Sequence, residues 1–162
     1  MTVKIMVVDV DGTLTDGRIF IGDKGELMKA FDVKDGYALG VLLPDNNIVP
    51  VILSGRTSKI VSNRCKELNI TELYQGVSNK KEALVQIANK YKLPINPNGV
   101  IEGCAYIGDD LIDLPCIMSS EVSGCPNDAV QKVKETASYI CSKNGGFGAV
   151  REFAEWIITQ QL

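Results

Sequence analysis

The sequence predicts an α/β protein: a three-layer, Rossmann-like sandwich with a mostly parallel sheet between two layers of helices. Three observations carry that expectation. Short runs rich in Val and Ile alternate with amphipathic helical patterns, the rhythm of βαβ units. The runs are apolar at successive positions, as strands covered on both faces must be. The longer segments between them carry a single apolar stripe each, as helices lying on a sheet do. At 162 residues a single domain, 1–162, is expected, with enough chain for a genuine core.

The first strand is VKIMVV (3–8), which runs straight into Asp9-Val10-Asp11-Gly12-Thr13. RIFIGDKGELMKAF (18–31) then breaks the rhythm. Gly22-Asp23-Lys24-Gly25 lies between two partly alternating runs, which predicts a β-hairpin flap. Because it follows the first strand, it should project from the carboxyl edge of the sheet, where ligands bind in such folds. IVPVIL (48–53) is the next strand, and Ile60, Val61, Cys65 and Leu68 recur at helical spacing after it. LYQG is a weaker strand candidate. Ala83, Leu84, Ile87, Ala88 and Tyr91 mark a second helix, and CAYI (104–107) a buried strand. EVSG, the stripe Val130, Val133 and Ala137, and SYIC (138–141) continue the alternation. After the connector GGFG, a last helix over about 148 to 160 carries Val150, Phe153, Ala154 and Ile157 on one face.

Composition narrows the chemistry. A net charge of −3 argues against nucleic acid or an acidic membrane as the main partner. No apolar stretch has the length of a spanning helix, and no signal-type cleavage site follows the first apolar run. A cytoplasmic location is therefore expected. Cys65, Cys104, Cys116, Cys125 and Cys141 form no C-x-x-C pair and read as reduced, buried thiols. The chain has no histidine, which excludes Ser-His and Cys-His hydrolases and imidazole-based zinc sites. Carboxylates, Lys, Arg, hydroxyls and a hard metal ion are what remain.

Four polar clusters fall at the ends of predicted strands or the starts of helices: Asp9 to Thr13, Ser54-Gly55-Arg56, Lys80, and Gly108-Asp109-Asp110-Leu111-Ile112-Asp113. Singly, each has an ordinary explanation as a cap, a surface charge or an acidic helix start. In this order along one sheet edge they point to phosphoryl transfer. Asp9 and Asp11 repel each other unless something positive lies between them. Asp9 and Asp109, with a backbone carbonyl and waters, form an oxygen cage suited to Mg²⁺. Asp9 is positioned to attack phosphorus and give an aspartyl-phosphate. Asp11 can protonate the leaving oxygen and then deprotonate the water that cleaves the intermediate. Ser54 and Lys80 would hold the non-bridging oxygens. Gly12 would let the backbone approach the phosphate, with Thr13 and Gly55 beside it.

With DVDGT, the strand-end Ser, the Lys and GDDLID, the sequence resembles the haloacid-dehalogenase superfamily of phosphohydrolases. The resemblance implies Asp9 as nucleophile, Asp11 as acid/base, and Ser54 and Lys80 as phosphate binders. It implies Asp9, the Asp11 carbonyl and Asp109 as metal ligands, with Asp113 and Asp110 supporting the metal's waters. Asp11, which dehalogenases lack, favours a phosphatase. The intervals 13–48 and 80–104 are too short for a cap domain. The site should thus be closed by a neighbouring subunit, with the hairpin as the contact surface.

TDG, VKDG, LSGR, RCKELNITELYQGVSNK, YIGDDLIDLP and GGFGAVREF extend the likeness along nearly the whole chain. Together they resemble the capless, tetrameric branch that dephosphorylates the eight-carbon sugar acid 3-deoxy-D-manno-octulosonate 8-phosphate (KDO 8-phosphate), a lipopolysaccharide precursor. That implies a Mg²⁺-dependent homotetramer. Arg56 would make a bidentate contact to the substrate carboxylate. Lys34 is a second basic candidate, because the branch often has one before Asp-Gly. Nine-carbon-specific relatives can carry an acidic residue at the position of Arg56. Thr13 stands where many close relatives have Val, and the chain ends at Leu162 without the long tail of some members. The alternatives are a phosphatase for a nine-carbon sugar acid 9-phosphate and a non-catalytic module beside a cytidylyltransferase. A phosphoacceptor receiver domain would need an acceptor Asp after the third strand, where this chain has Ser54-Gly55-Arg56.

Overall fold

A computed structural model describes residues 2–160; Leu162 and the expected short tail end lie outside them. Strand β1 (Ile5–Val8) is followed by a tight loop, Val10–Leu14, and by the hairpin β2 (Phe20–Gly22) and β3 (Gly25–Met28). Helix α1 (Val33–Tyr37) passes through a wider-wound turn, Ala38–Leu42, into α2 (Leu43–Asp45). Pro44 has no N–H to offer the Gly40 carbonyl, so a regular α-turn cannot close there. The helical stretch 33–45 is widened at Ala38–Leu42 for that reason. There follow β4 (Val49–Leu53), α3 (Lys59–Glu67), β5 (Glu72–Tyr74), α4 (Lys80–Lys90), β6 (Ile101–Ile107), α5 (Leu114–Ser119), β7 (Ser120–Cys125), α6 (Gln131–Lys134), β8 (Tyr139–Ile140) and α7 (Ala149–Gln160).

The main sheet has the order β5-β4-β1-β6-β7-β8, and every neighbouring pair in it is parallel. Antiparallel pairing is confined to the hairpin, which forms its own two-stranded sheet. The central strand explains the three layers. Met6 and Val8 face a core built with Leu39, Val61 and Phe153 from the first helical stretch, α3 and α7, and with Ile52 of β4. Ile5 and Val7 face the opposite core, with Leu84 and Ile87 of α4 and Cys116 of α5. All four β1 side chains are fully buried, each contributing about 2 kcal/mol to the hydrophobic term.

The strands expected from the sequence are all present, with shifted ends. β1 begins at Ile5, β6 reaches back to Ile101, and β8 is only two residues long at the sheet edge. The stripe Val130–Ala137 yields just one helical turn, α6. Helix α5 was not among the expected elements. It starts through a short turn, Leu111–Asp113, whose first residue is capped by Asp110, and has Pro115 at its first turn, where Pro is well tolerated. All five cysteines are free and buried. Among the described residues no helix is long and apolar enough to cross a membrane, and no cap domain interrupts the sheet.

Candidate active site

Parallel pairing brings the carboxyl ends of β1, β4 and β6 to one rim. The ladder runs one residue past β1 and β4: Asp9 N–H donates to Ile107 O at 3.0 Å and Ser54 N–H to Tyr74 O at 2.9 Å. Asp9 and Ser54 are thus held by backbone hydrogen bonds before their side chains do anything. Lys80 opens α4, behind the N-cap Asn79, whose side chain accepts from Glu82 N–H at 3.1 Å.

Asp9 and Lys80 are both buried, 4% and 5% exposed. The Lys80 ammonium donates to Asp9 Oδ1 at 2.5 Å and to Asp113 Oδ1 at 2.7 Å. Asp113 is saturated: Oδ1 also accepts from Tyr106 OH at 2.6 Å, and Oδ2 from the amides of Asp109 and Asp110 at 3.1 and 3.2 Å. Thr13 Oγ1 donates to Asp109 Oδ1 at 2.8 Å. Gly12 has φ +99°, and a Cβ there would lie 2.1 Å from Asp109 Oδ2. Only glycine lets the loop lie against that carboxylate.

Burial and the Asp113 carboxylate push Asp9 well above the usual carboxylate range, against the pull of Lys80. Burial raises Asp109 to about 6, with the Thr13 hydroxyl working against it. Burial would lower Lys80, but Asp9 and Asp113 overcome this and hold its ammonium above the ordinary value. Three carboxylates, Asp9, Asp109 and Asp113, have oxygens within 4.8 Å of one another, and the Lys80 ammonium bonds only Asp9 and Asp113 among them. The deficit of positive charge and the all-oxygen donor set fit a hard divalent cation. Asp9 and Asp109 could hold it, while Asp113, already saturated, is fitted to orient rather than ligate.

The other expected residues divide. Asp11 turns from this cluster: its Oδ1 accepts from the Lys29 ammonium, and its Oδ2 lies 3.8 Å from Arg56 Nε. Arg56 is half exposed at the mouth. Its amide donates to Ser54 Oγ at 3.3 Å across the exposed Gly55. Asp110 is exposed and its carboxylate caps Leu111 N–H at 2.7 Å. Lys34 is not brought to the cluster; it lines an exposed groove with Phe147, Gly148 and Arg151. Its neighbour Asp35 is fully buried and accepts from Gly148 and Arg151 amides at 3.2 and 2.8 Å, capping α7. Gly145 and Gly146 pack on the Asp9 loop: Gly146 N–H donates to Thr13 O at 3.1 Å, and a Cβ on Gly145 would meet Gly12 O at 1.9 Å.

Lys29, Glu26, Tyr106 and Asp35 were not visible in the sequence as site residues. A lysine and a glutamate on a hairpin read as solvated charges, and Tyr106 sits inside an apolar run.

A strand-end aspartate answered by a buried lysine, with a second acidic loop on the adjacent parallel strand, is the arrangement of the haloacid-dehalogenase hydrolases. The fold around it is theirs too. No protein-family model matches the chain. It is 41% identical to the 3-deoxy-D-manno-octulosonate 8-phosphate phosphatase KdsC of Escherichia coli K12 over 159 residues, covering 98% of this chain and 81% of that one. The cobalt-bound structure of the corresponding phosphatase of Haemophilus influenzae superposes with a TM-score of 0.91 at 34% identity, covering 99% and 90% of the two chains. The Moraxella catarrhalis phosphatase, solved with a magnesium ion, a phosphate ion and KDO, gives 0.88 at 37%, covering 97% and 86%. The chain belongs to the 3-deoxy-D-manno-octulosonate 8-phosphate phosphatase family.

Proposed function

We propose that this chain hydrolyses KDO 8-phosphate to KDO and inorganic phosphate, with Mg²⁺ as the cofactor. The observation that carries the reading is the buried Asp9–Lys80–Asp113 cluster beside Asp109, set at the sheet rim of a chain similar to KDO 8-phosphate phosphatases throughout.

Asp9 attacks phosphorus and the ester P–O bond breaks, leaving an aspartyl-phosphate. Asp11 protonates the departing sugar oxygen, then takes a proton from the water that releases phosphate and restores Asp9. Lys80 and Ser54 bind non-bridging oxygens, with Gly12, Thr13 and Gly55 forming the phosphate cradle. Asp9, the Asp11 carbonyl and Asp109, with Asp113 and Asp110 supporting, would hold Mg²⁺, which would supply the positive charge an anionic nucleophile needs to meet a phosphate dianion. Arg56, at the mouth, binds the substrate carboxylate. Lys34 lies outside this cluster and would meet substrate only in the site of a neighbouring subunit.

The chain acts as a single domain, 1–162, in a cytoplasmic homotetramer. The exposed side chains of the hairpin, Ile21 at 72% and Leu27 at 65%, support self-association. The nine-carbon substrate is not favoured, given the KDO held by the Moraxella catarrhalis relative and the cation at Arg56. A non-catalytic module beside a cytidylyltransferase would have no use for the complete acidic cluster.

The test is phosphate release from KDO 8-phosphate and from a nine-carbon sugar-acid 9-phosphate, each with Mg²⁺. A kcat/KM at least about tenfold higher for the eight-carbon ester is expected, since one misplaced contact is worth that much. Equal or reversed preference would overturn the substrate and the role of Arg56.

A further inference from the structure

Lys29 directly follows a hairpin whose apolar side chains Ile21, Leu27 and Met28 are largely exposed, yet its own side chain is 1% exposed. The ammonium donates to Asp11 Oδ1 and lies 2.9 Å from Glu26 Oε1. Glu26 Oε2 accepts from the hydroxyl of Ser58, the N-cap of α3. A polar chain, Asp11–Lys29–Glu26–Ser58, therefore runs from the Asp9 loop through the hairpin to the start of α3. A charge covered in this way needs a partner that matters, and the hairpin has no core of its own to require it.

The two oxygens of Asp11 are left unlike. Oδ1 faces an ammonium, which carries only donors, so a proton on Oδ1 would point at another proton. Oδ2 has no hydrogen bond among the described residues, and Arg56 Nε lies 3.8 Å from it. We propose that Lys29 is a positioning residue for proton transfer: it pins Oδ1, so that Oδ2 is the oxygen that carries the proton exchanged with substrate. This rests on the reading of Asp11 as acid/base. In the first step the proton on Oδ2 passes to the ester oxygen as the P–O bond breaks and the Asp9–phosphorus bond forms. In the second, Oδ2 takes a proton from water as the water oxygen bonds to phosphorus and Asp9 leaves. Lys29 keeps its proton throughout.

The experiment compares kcat/KM for KDO 8-phosphate, an alkyl ester whose leaving oxygen must be protonated, with that for 4-nitrophenyl phosphate, whose leaving group departs as the anion. kcat/KM reports the first step alone. In Asp11→Asn and in Lys29→Met the alkyl ester should lose about 10²-fold and the aryl ester less than about tenfold. Lys29→Arg should restore most of the loss on the alkyl ester. Equal losses on both esters in Lys29→Met, with the difference kept in Asp11→Asn, would make Lys29 a staple of the hairpin and overturn the inference. No ester difference in Asp11→Asn would overturn the reading of Asp11 itself. Should Lys29→Met not fold, Lys29→Gln, which keeps a donor without the charge, is read by the same criterion.

Discussion

Asp9 carries its carboxylate where burial and a like charge both oppose ionisation. Strain of this kind is retained for chemistry rather than for folding. Asp9→Asn removes the proposed nucleophile but leaves Lys80 paired with Asp113 at 2.7 Å, so no buried charge is orphaned. Phosphate release should fall by more than about 10³-fold, while the metal-free melting temperature stays at or above that of the parent protein. A fully active Asp9→Asn protein would refute the covalent route. At this scale the sequence was most legible where chemistry compresses residues into short motifs: Asp9, Asp109 and Lys80 meet as their spacing suggested. It was least legible for Tyr106 and Lys29, whose partners, Asp113 and Asp11, lie across strands or loops. Thr13 shows the same limit in reverse. Its place in the motif was plain, but its bond to Asp109 depends on how the loop is wound.

Among the elements, α7 is tied to the loop after Asp9 by contacts that no periodicity reveals. The glycine pair before it rests on Gly12 and Thr13, and the Asp35 carboxylate holds its first amides. Burial raises Asp35 to about 6 from an ordinary 3.8, against the amides of Arg151 and Gly148. The folded state therefore binds the proton more tightly than the unfolded chain. The stability linked to this group is whole below about pH 4 and is lost as the pH rises through 6. Asp35→Asn abolishes that dependence. The stability gap between parent and variant should be largest near pH 4 and about 2 kcal/mol smaller by pH 7.5, read from denaturant unfolding at each pH. A constant gap would show that Asp35 does not titrate in this range. Periodicity did find α3, α4 and α7, whose stripes cover many turns. It missed α5, which is too short for a stripe and owes its start to Asp110 and Pro115.

For the whole molecule, the layer order followed from doubly apolar strands, but the outward face of the hairpin could not be read that way. Its partly alternating pattern has no internal core to satisfy: Phe20, Ile21, Leu27 and Met28 are 40%, 72%, 65% and 54% exposed. A two-stranded hairpin is marginal alone, and exposed apolar side chains on it favour the proposed self-association. Light scattering should give a tetramer for the parent chain and smaller species for the double variant Ile21→Asp, Leu27→Asp. The variant should keep its far-ultraviolet dichroism. A monomeric parent chain would remove the assembly and, with it, closure of the site by a neighbour.

The position of β1 has one more consequence. Its neighbours in the sheet come from 49–52 on one side and 104–107 on the other. During synthesis the strand that ends on Asp9 precedes both of its neighbours, and it is enclosed on its second side only once Cys104–Ile107 has followed. Until then Ile5 to Val8 is an apolar segment with an unpaired edge, the kind of surface on which nascent chains stick to one another. The strand that carries Asp9 is thus made well before the two partners that shelter it.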